Sequence, residues 1–182
     1  MNAATGKPRV GVSSCLLGEA VRWNGAHKHD PNLTEALGRF FDWVAVCPEV
    51  ELGLGVPREP IRLEGDPASP RLVGRTTGID LTDRMEAFAA ERVEQLASFD
   101  LCGYVLKSDS PTCGMERVEV SGAPPDGPQS GAGLFARALM RRLPLLPIEE
   151  EGRLRDPGVR ETFIARVHTY RTRATRRLRN HA

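Results

Sequence analysis

The sequence predicts an α/β fold: a single domain with a largely parallel sheet flanked by helices, and a C-terminal amphipathic helix. Short apolar segments typical of buried strands alternate with segments whose apolar residues recur every three or four positions. Such alternation is typical of a parallel sheet whose strands are connected by helices. The length of 182 residues fits one domain over residues 1–156, followed by a C-terminal helix and arginine-rich tail over residues 157–182.

The first half of the chain begins with a predicted strand, because Val10 and Val12 alternate with smaller residues. Asp30 and Pro31 then combine an acidic N-cap with proline at the first helical position, which predicts the start of a helix. The segments predicted here are a strand at 8–13, a helix from Asp30, a strand at 43–46, and short extended pieces at 61–63 and 71–73.

The second half contains the clearest helical pattern, in which Met85, Ala89 and Val93 share one face. The C-terminal helix is predicted from Phe163, Val167 and similar apolar residues spaced by three or four. The segments predicted here are a helix that begins at Asp80 or Thr82, strands at 103–107 and 117–120, a helix at 133–142, a strand at 145–148, and the C-terminal helix.

The composition is that of an ordinary soluble protein, with 25 basic and 24 acidic side chains. No apolar run approaches the roughly 20 residues of a membrane span, and the first nine residues lack the apolar stretch of a signal peptide. We therefore expect a cytoplasmic protein without a membrane partner. From Arg160 onward the chain has seven arginines and one acid, and we interpret this run as a solvated helix face in preference to an RNA-binding surface.

Three of the four cysteines follow predicted strands of the sheet. Cys15 follows the predicted strand at 8–13, Cys47 follows the strand at 43–46, and Cys113 follows the strand at 103–107. Cys102 precedes this last strand and lies at the opposite edge of the sheet. Ligands of open α/β sheets bind beyond the carboxyl ends of the strands, so three thiols are expected at one site. Thiolates select zinc, copper(I) or iron–sulfur clusters, and three protein ligands leave one coordination position open for a substrate. These residues alone leave the identity of the metal open.

Five motifs surround these cysteines and resemble the TudS-type thiouracil desulfurase family. They are Val10-Gly-Val-Ser-Ser-Cys-Leu-Leu-Gly18, Val21-Arg-Trp-Asn-Gly25 with His27-Lys28, Val46-Cys-Pro-Glu-Val50, Val56-Pro-Arg-Glu-Pro60 and Leu106-Lys-Ser-Asp-Ser-Pro-Thr-Cys-Gly114. The resemblance runs in order from about Val10 to Pro147. It implies a [4Fe–4S] cluster whose open iron binds the sulfur of thiouracil or thio-UMP, with the oxo-pyrimidine and hydrogen sulfide as products.

The resemblance also implies roles for particular residues. Cys15, Cys47 and Cys113 match the cluster ligands, Glu49 matches the acid beside the second cysteine, and Ser108 matches the serine of the third motif. Thr112 departs mildly from the family, which more often has serine at this position. We expect Glu49 to act as the general base and Ser108 or Ser110 to orient the pyrimidine ring.

Four cations in or beside these motifs are candidates for binding a nucleotide phosphate: Arg22, Lys28, Arg58 and Lys107. Ion pairs with Glu19, Glu59 or Asp109 are an equally good interpretation of them. Glu149, Glu150 and Glu151 follow the last predicted strand and are interpreted as a solvated acidic turn. The alternatives to a desulfurase are a non-catalytic metal- or RNA-binding module and a zinc hydrolase that uses the same three cysteines.

Overall fold

The computed structural model describes residues 6–179, with side-chain environments through residue 174. Strands and helices alternate along the chain, as the apolar periodicity predicts. The elements are β1 (Arg9–Ser13), a 3-10 turn (Ser14–Leu17), a π-helical turn (Asn32–Leu37), β2 (Asp42–Val46), α1 (Pro48–Glu51), β3 (Ile61–Glu64), β4 (Arg71–Gly74), α2 (Thr82–Ser98), β5 (Gly103–Leu106), β6 (Val118–Ser121), β7 (Ser130–Gly131), α3 (Leu134–Arg142), β8 (Ile148–Glu150), a 3-10 turn (Arg153–Arg155) and α4 (Pro157–Arg179).

The main sheet has the strand order β2-β1-β5-β8, and every neighbouring pair is parallel. Val10 of β1 is paired with Trp43 of β2 on one side and with Gly103 of β5 on the other. Because the four strands run in the same direction, the segments that follow them emerge at one edge of the sheet. The predicted α/β class is confirmed.

The remaining strands form a second sheet with the order β4-β3-β6-β7. The strand β3 is antiparallel to β4 and parallel to β6, and β6 is antiparallel to β7. The strands therefore form the expected parallel sheet and, beside it, a smaller mixed sheet that the sequence does not predict. Apolar alternation identifies a strand, but it carries no information about which strand becomes its neighbour.

Helices cover both faces of the parallel sheet. On one face, α2 and α3 pack against Tyr104 and Leu106 of β5 through residues such as Leu96 and Phe135. On the other face, Val10 and Val12 of β1 pack with α4 through Phe163 and Val167. The first half of α4 is thus part of the core, as its apolar spacing predicts. No helix in the described part of the chain is both long and apolar enough to cross a membrane.

The helix predicted from Asp30 is shorter than its apolar pattern indicates. It is the six-residue π-helical turn, and the Asp30 carboxylate accepts a hydrogen bond of 2.9 Å from the Asn32 N–H. The predicted role of the last arginines (Arg176, Arg177 and Arg179) falls outside the residues whose side chains are described.

Candidate functional site

Three cysteines from distant parts of the sequence line one cavity at the carboxyl edge of the parallel sheet. Cys15 lies in the 3-10 turn that follows β1, and Cys47 is the N-cap residue between β2 and α1. Cys113 lies in the loop that follows β5. The cavity has a volume of about 520 Å³, within the range of small-molecule sites. The structure therefore brings the three predicted thiols together.

Cys102 is separated from this cavity. It immediately precedes β5, at the other end of the strand from Cys113, and it packs in the core beside Phe163 and Val167. Its backbone N–H donates to the Arg9 carbonyl at 2.8 Å. Cys102 consequently behaves as a small core residue, as its position before the strand predicts.

The cavity thiols are held in an environment that disfavours free thiolates. Burial raises the pKa of Cys113 to about 12, although a hydrogen bond from the Ser13 hydroxyl lowers it. Burial raises the pKa of Cys15 to about 11, against the lowering effect of the nearby Lys107 ammonium. Burial also raises the pKa of Cys47. A cationic metal centre compensates such desolvation, because the thiolate is the form that binds metal.

The three thiols line one shared cavity, and their donor set is the soft thiolate set that iron–sulfur clusters use. In an iron–sulfur cluster each cysteine binds its own iron, so sulfurs distributed around a cavity suit this kind of group.

The loop that carries Cys113 is packed tightly against the start of α3. The Gly133 N–H donates to the Gly114 carbonyl at 2.8 Å, and a Cβ at Gly133 would lie 2.5 Å from the carbonyl carbon of Thr112. The Ser110 hydroxyl accepts the Cys113 N–H at 3.1 Å. Ser110 therefore shapes the cysteine loop as well as lining the cavity.

Glu49 lines the cavity and forms an ion pair with Arg58. Its Oε2 accepts two hydrogen bonds from the Arg58 guanidinium, at 2.8 Å from Nε and 2.5 Å from the terminal nitrogen. Its Oε1 accepts the Thr112 hydroxyl at 2.9 Å. Arg58 also donates to the Val21 and Gly55 carbonyls, so it connects the segments around the cavity.

Ser108 lies at the cavity wall in contact with Lys107 and Glu151. The Ser108 hydroxyl donates to Glu151 at 2.8 Å, and the Ser108 N–H donates to the other oxygen of that carboxylate at 2.8 Å. The Lys107 ammonium donates to the Ser108 hydroxyl at 2.9 Å, to the Ser108 carbonyl at 2.9 Å and to Glu151 at 2.5 Å. The expected solvated acidic turn is wrong for Glu149, which is buried within β8, and for Glu151, which is buried immediately after that strand.

The four predicted phosphate-binding cations fall into two groups. Arg58 and Lys107 are paired with Glu49 and Glu151, and not with the acids that neighbour them in sequence. The side chains of Arg22 and Lys28 line the cavity and form no hydrogen bond or salt bridge with the described residues. Only this second group retains its full donor capacity for a ligand.

Sequence reasoning missed Arg75, Trp23 and Glu151. Arg75 lines the cavity from the end of β4, in a segment where proline obscures the pattern, and no sequence signal identifies it. Trp23 is 42% exposed at the cavity although it lies within a recognised motif. Glu151 follows β8, the last parallel strand. The strand-end rule, by which residues after parallel strands line the ligand site, identified the cysteines and could have identified Glu151 as well.

Comparison with known proteins agrees with this architecture. The family model described as 2-thiouracil desulfurase matches residues 10–151. A curated relative, the uncharacterized protein YbbK of Bacillus subtilis (strain 168), is 32% identical, and the match covers 57% of this chain and 71% of YbbK.

A solved structure is also similar over most of the chain. It is described as the [4Fe-4S]-dependent thiouracil desulfidase TudS. The TM-score is 0.67 at 28% sequence identity, and the match covers 86% of this chain and 99% of TudS. The resemblance predicted from the cysteine motifs is thus confirmed, and the alternative metal- or RNA-binding module and zinc hydrolase are not favoured. The chain belongs to the 2-thiouracil desulfurase family.

Proposed function

We propose that the protein is an iron–sulfur desulfurase that converts a thiolated uracil compound and water into the oxo-pyrimidine and hydrogen sulfide. The observation that carries this proposal is the convergence of Cys15, Cys47 and Cys113 on one cavity in a member of this family. The similarity to TudS, whose description names a [4Fe-4S] cluster, supports the same cofactor here. The three cysteines would hold the cluster, and Cys102 would take no part.

The cofactor and the protein have separate tasks in this reaction. When bound, a cluster held by three cysteines supplies a Lewis-acidic iron with a position open to the soft sulfur of a thiocarbonyl. The protein must position the ring and a water molecule, and it must accept the proton that the water loses when it attacks the ring carbon.

Glu49 is the proposed acceptor of that proton. A carboxylate has about four lone-pair sites, and three of these accept hydrogen bonds from Arg58 and Thr112. The remaining site is on Oε1, which would bind the water and accept its proton. Because Arg58 and Thr112 fix the carboxylate, Oε1 keeps its orientation in the cavity wall while the substrate binds.

We assign the anion of a thio-nucleotide to Arg22 and Lys28. Both line the cavity without a salt bridge to the described residues, and the exposed Arg75 lines the same cavity. Arg58 and Lys107 are less suited to this task, because their hydrogen bonds are made to Glu49 and to the Ser108–Glu151 pair. The cation arrangement thus favours thio-UMP over the uncharged thiouracil base.

The cofactor is tested by anaerobic reconstitution with iron and sulfide. Replacing Cys15, Cys47 or Cys113 by serine should abolish the brown colour and the bound iron, whereas Cys102→Ser should retain both. Retention of the cluster in any of the first three variants would contradict the ligand assignment. A colourless protein with stoichiometric zinc would support the zinc hydrolase.

The reaction is tested by incubating the reconstituted protein with thio-UMP and thiouracil and measuring released sulfide. Glu49→Gln should lower turnover by roughly 10²–10⁴ with the cluster intact, because the amide cannot accept the proton. Lys28→Gln should raise the KM for thio-UMP and leave the KM for thiouracil unchanged. Near-normal turnover of an iron-replete Glu49→Gln protein would remove Glu49 from the mechanism.

A further inference from the structure

The Ser108 hydroxyl is held between two charged partners, Lys107 and Glu151. Glu151 is the acceptor of its hydrogen, at 2.8 Å, and Lys107 is a donor to its oxygen, at 2.9 Å. The side chain of Glu151 is only 8% exposed and does not line the cavity, whereas Ser108 does. Glu151 therefore affects a ligand in the cavity only through residues that line the cavity, such as Ser108.

The donors and acceptors in this cluster leave one assignment of hydrogens. An ammonium can only donate, and an ionised carboxylate can only accept. The single hydrogen of the Ser108 hydroxyl must therefore point to Glu151, while one of its two lone pairs accepts from Lys107. One lone pair remains for the cavity. Towards a ligand, Ser108 is consequently a hydrogen-bond acceptor and not a donor.

The three hydrogens of the Lys107 ammonium are also accounted for. They are donated to the Ser108 carbonyl, the Ser108 hydroxyl and Glu151. The second carboxylate oxygen of Glu151 accepts the Ser108 N–H. Rotation of the Ser108 hydroxyl towards the cavity would remove one of the two donors to the same Glu151 oxygen and leave Lys107 as its partner, which weakens the solvation of a buried charge.

We propose that Glu151 is a positioning residue that fixes Ser108 as a hydrogen-bond acceptor, so that the site selects pyrimidines with a ring N–H at position 3. Uracil-type rings donate from this nitrogen, whereas cytosine-type rings have a lone pair there and would face the Ser108 lone pair. A site that must pair with a ligand N–H discriminates strongly against a ligand without it. The inference rests on the proposed function and on the expectation from the sequence that Ser108 orients the ring.

The experiment measures binding of UMP and CMP to the reconstituted protein by titration calorimetry. In these nucleotides the sugar blocks N1, so only N3 can present the ring donor. Wild-type protein should prefer UMP, and Glu151→Gln should lower the CMP-to-UMP ratio of Kd values on the order of tenfold. The amide of the variant can donate to Ser108, which releases the hydroxyl to donate towards the cavity.

Two further variants separate positioning from stability. Ser108→Ala should lower the Kd ratio similarly, and the Ser108→Ala/Glu151→Gln double variant should lower it no further, because Glu151 acts through Ser108. The matched control is Glu150→Gln, since Glu150 accepts the Met115 N–H and does not line the cavity. This control should leave the ratio unchanged.

The outcomes distinguish this inference from the desulfurase function. A Glu151→Gln protein that weakens both nucleotides equally, or a double variant with a further fall in the ratio, would overturn the positioning role. Absence of a UMP preference in the wild type would also overturn it. Sulfide release from thio-UMP is measured separately on the same preparations, and its absence in the wild type would refute the desulfurase function and not the binding preference.

Discussion

Removal of the Arg58 guanidinium should destabilise the fold, because the largely buried Glu49 carboxylate then has no cationic partner. The side chains of Arg58 and Glu49 are 7% and 14% exposed, so little water is available to replace the lost partner. Removing one member of a buried ion pair costs about 3–5 kcal/mol. Because Glu49 keeps some exposure and its bond from Thr112, we expect Arg58→Met to cost about 3 kcal/mol.

The loss is measured by urea unfolding and by thermal unfolding of the wild type and the variant at matched iron content. For a chain of this length, about 3 kcal/mol corresponds to a fall in Tm of about 6–12 °C. The control is Arg71→Met, because Arg71 pairs with Glu64 and Asp80 but its side chain is 55% exposed. Exposed pairs contribute less than about 1 kcal/mol, so this variant should unfold almost as the wild type does.

A double variant tests the physical reason for the loss. If the uncompensated carboxylate causes the instability, Arg58→Met/Glu49→Gln should be about 1 kcal/mol more stable than Arg58→Met alone, since no buried charge remains. Additive losses from the two substitutions would refute this reasoning. They would indicate that Arg58 stabilises the fold through its bonds to the Val21 and Gly55 carbonyls instead.

Three other predictions concern separate parts of the molecule. Gly133→Ala places a Cβ 2.5 Å from the Thr112 carbonyl carbon and 2.9 Å from the Cys113 nitrogen, so it should reduce bound iron, measured after reconstitution. For Glu151, burial raises the pKa, but the bonds from Lys107 and Ser108 lower it below its ordinary value. A lowered folded-state pKa gives stability that is present above the unfolded pKa and lost as the pH falls through the folded one. Urea unfolding should therefore show weakening stability below about pH 4.5, and Glu151→Gln should flatten this dependence. Ending the chain after Ala174 should change the KM and turnover for thio-UMP by less than about twofold in steady-state assays, and a larger loss would place the arginine tail in the substrate site.

The strand-end rule explains why much of the site is visible in the sequence. Cys15, Cys47 and Cys113 each follow a strand of the parallel sheet, and parallel strands deliver such residues to the same edge. Glu49 lies two residues after Cys47, so the chain itself keeps it close to the cavity. Local connectivity and strand direction are sufficient for these positions.

The ion-pair partners of the charged residues could not be predicted from the sequence. Arg58 pairs with an acid nine residues away in preference to its neighbour Glu59, and Lys107 pairs with Glu151, 44 residues away. The pairing depends on which carboxylate is desolvated beside the cation, and that depends on how the loops pack. The division of the strands into two sheets was hidden for a similar reason, because strand periodicity does not encode neighbours.

By itself, the sequence determined the α/β class, the family and the three cavity thiols, because apolar period, strand order and motif residues are properties of the chain. Only the tertiary structure decided that Arg58 and Lys107 are engaged by carboxylates, while the side chains of Arg22 and Lys28 form no hydrogen bond or salt bridge with the described residues. It also decided that the Ser108 hydroxyl donates its hydrogen bond to Glu151. The physical reason is that hydrogen bonds and ion pairs are assigned by distance and burial between segments, which sequence order does not specify.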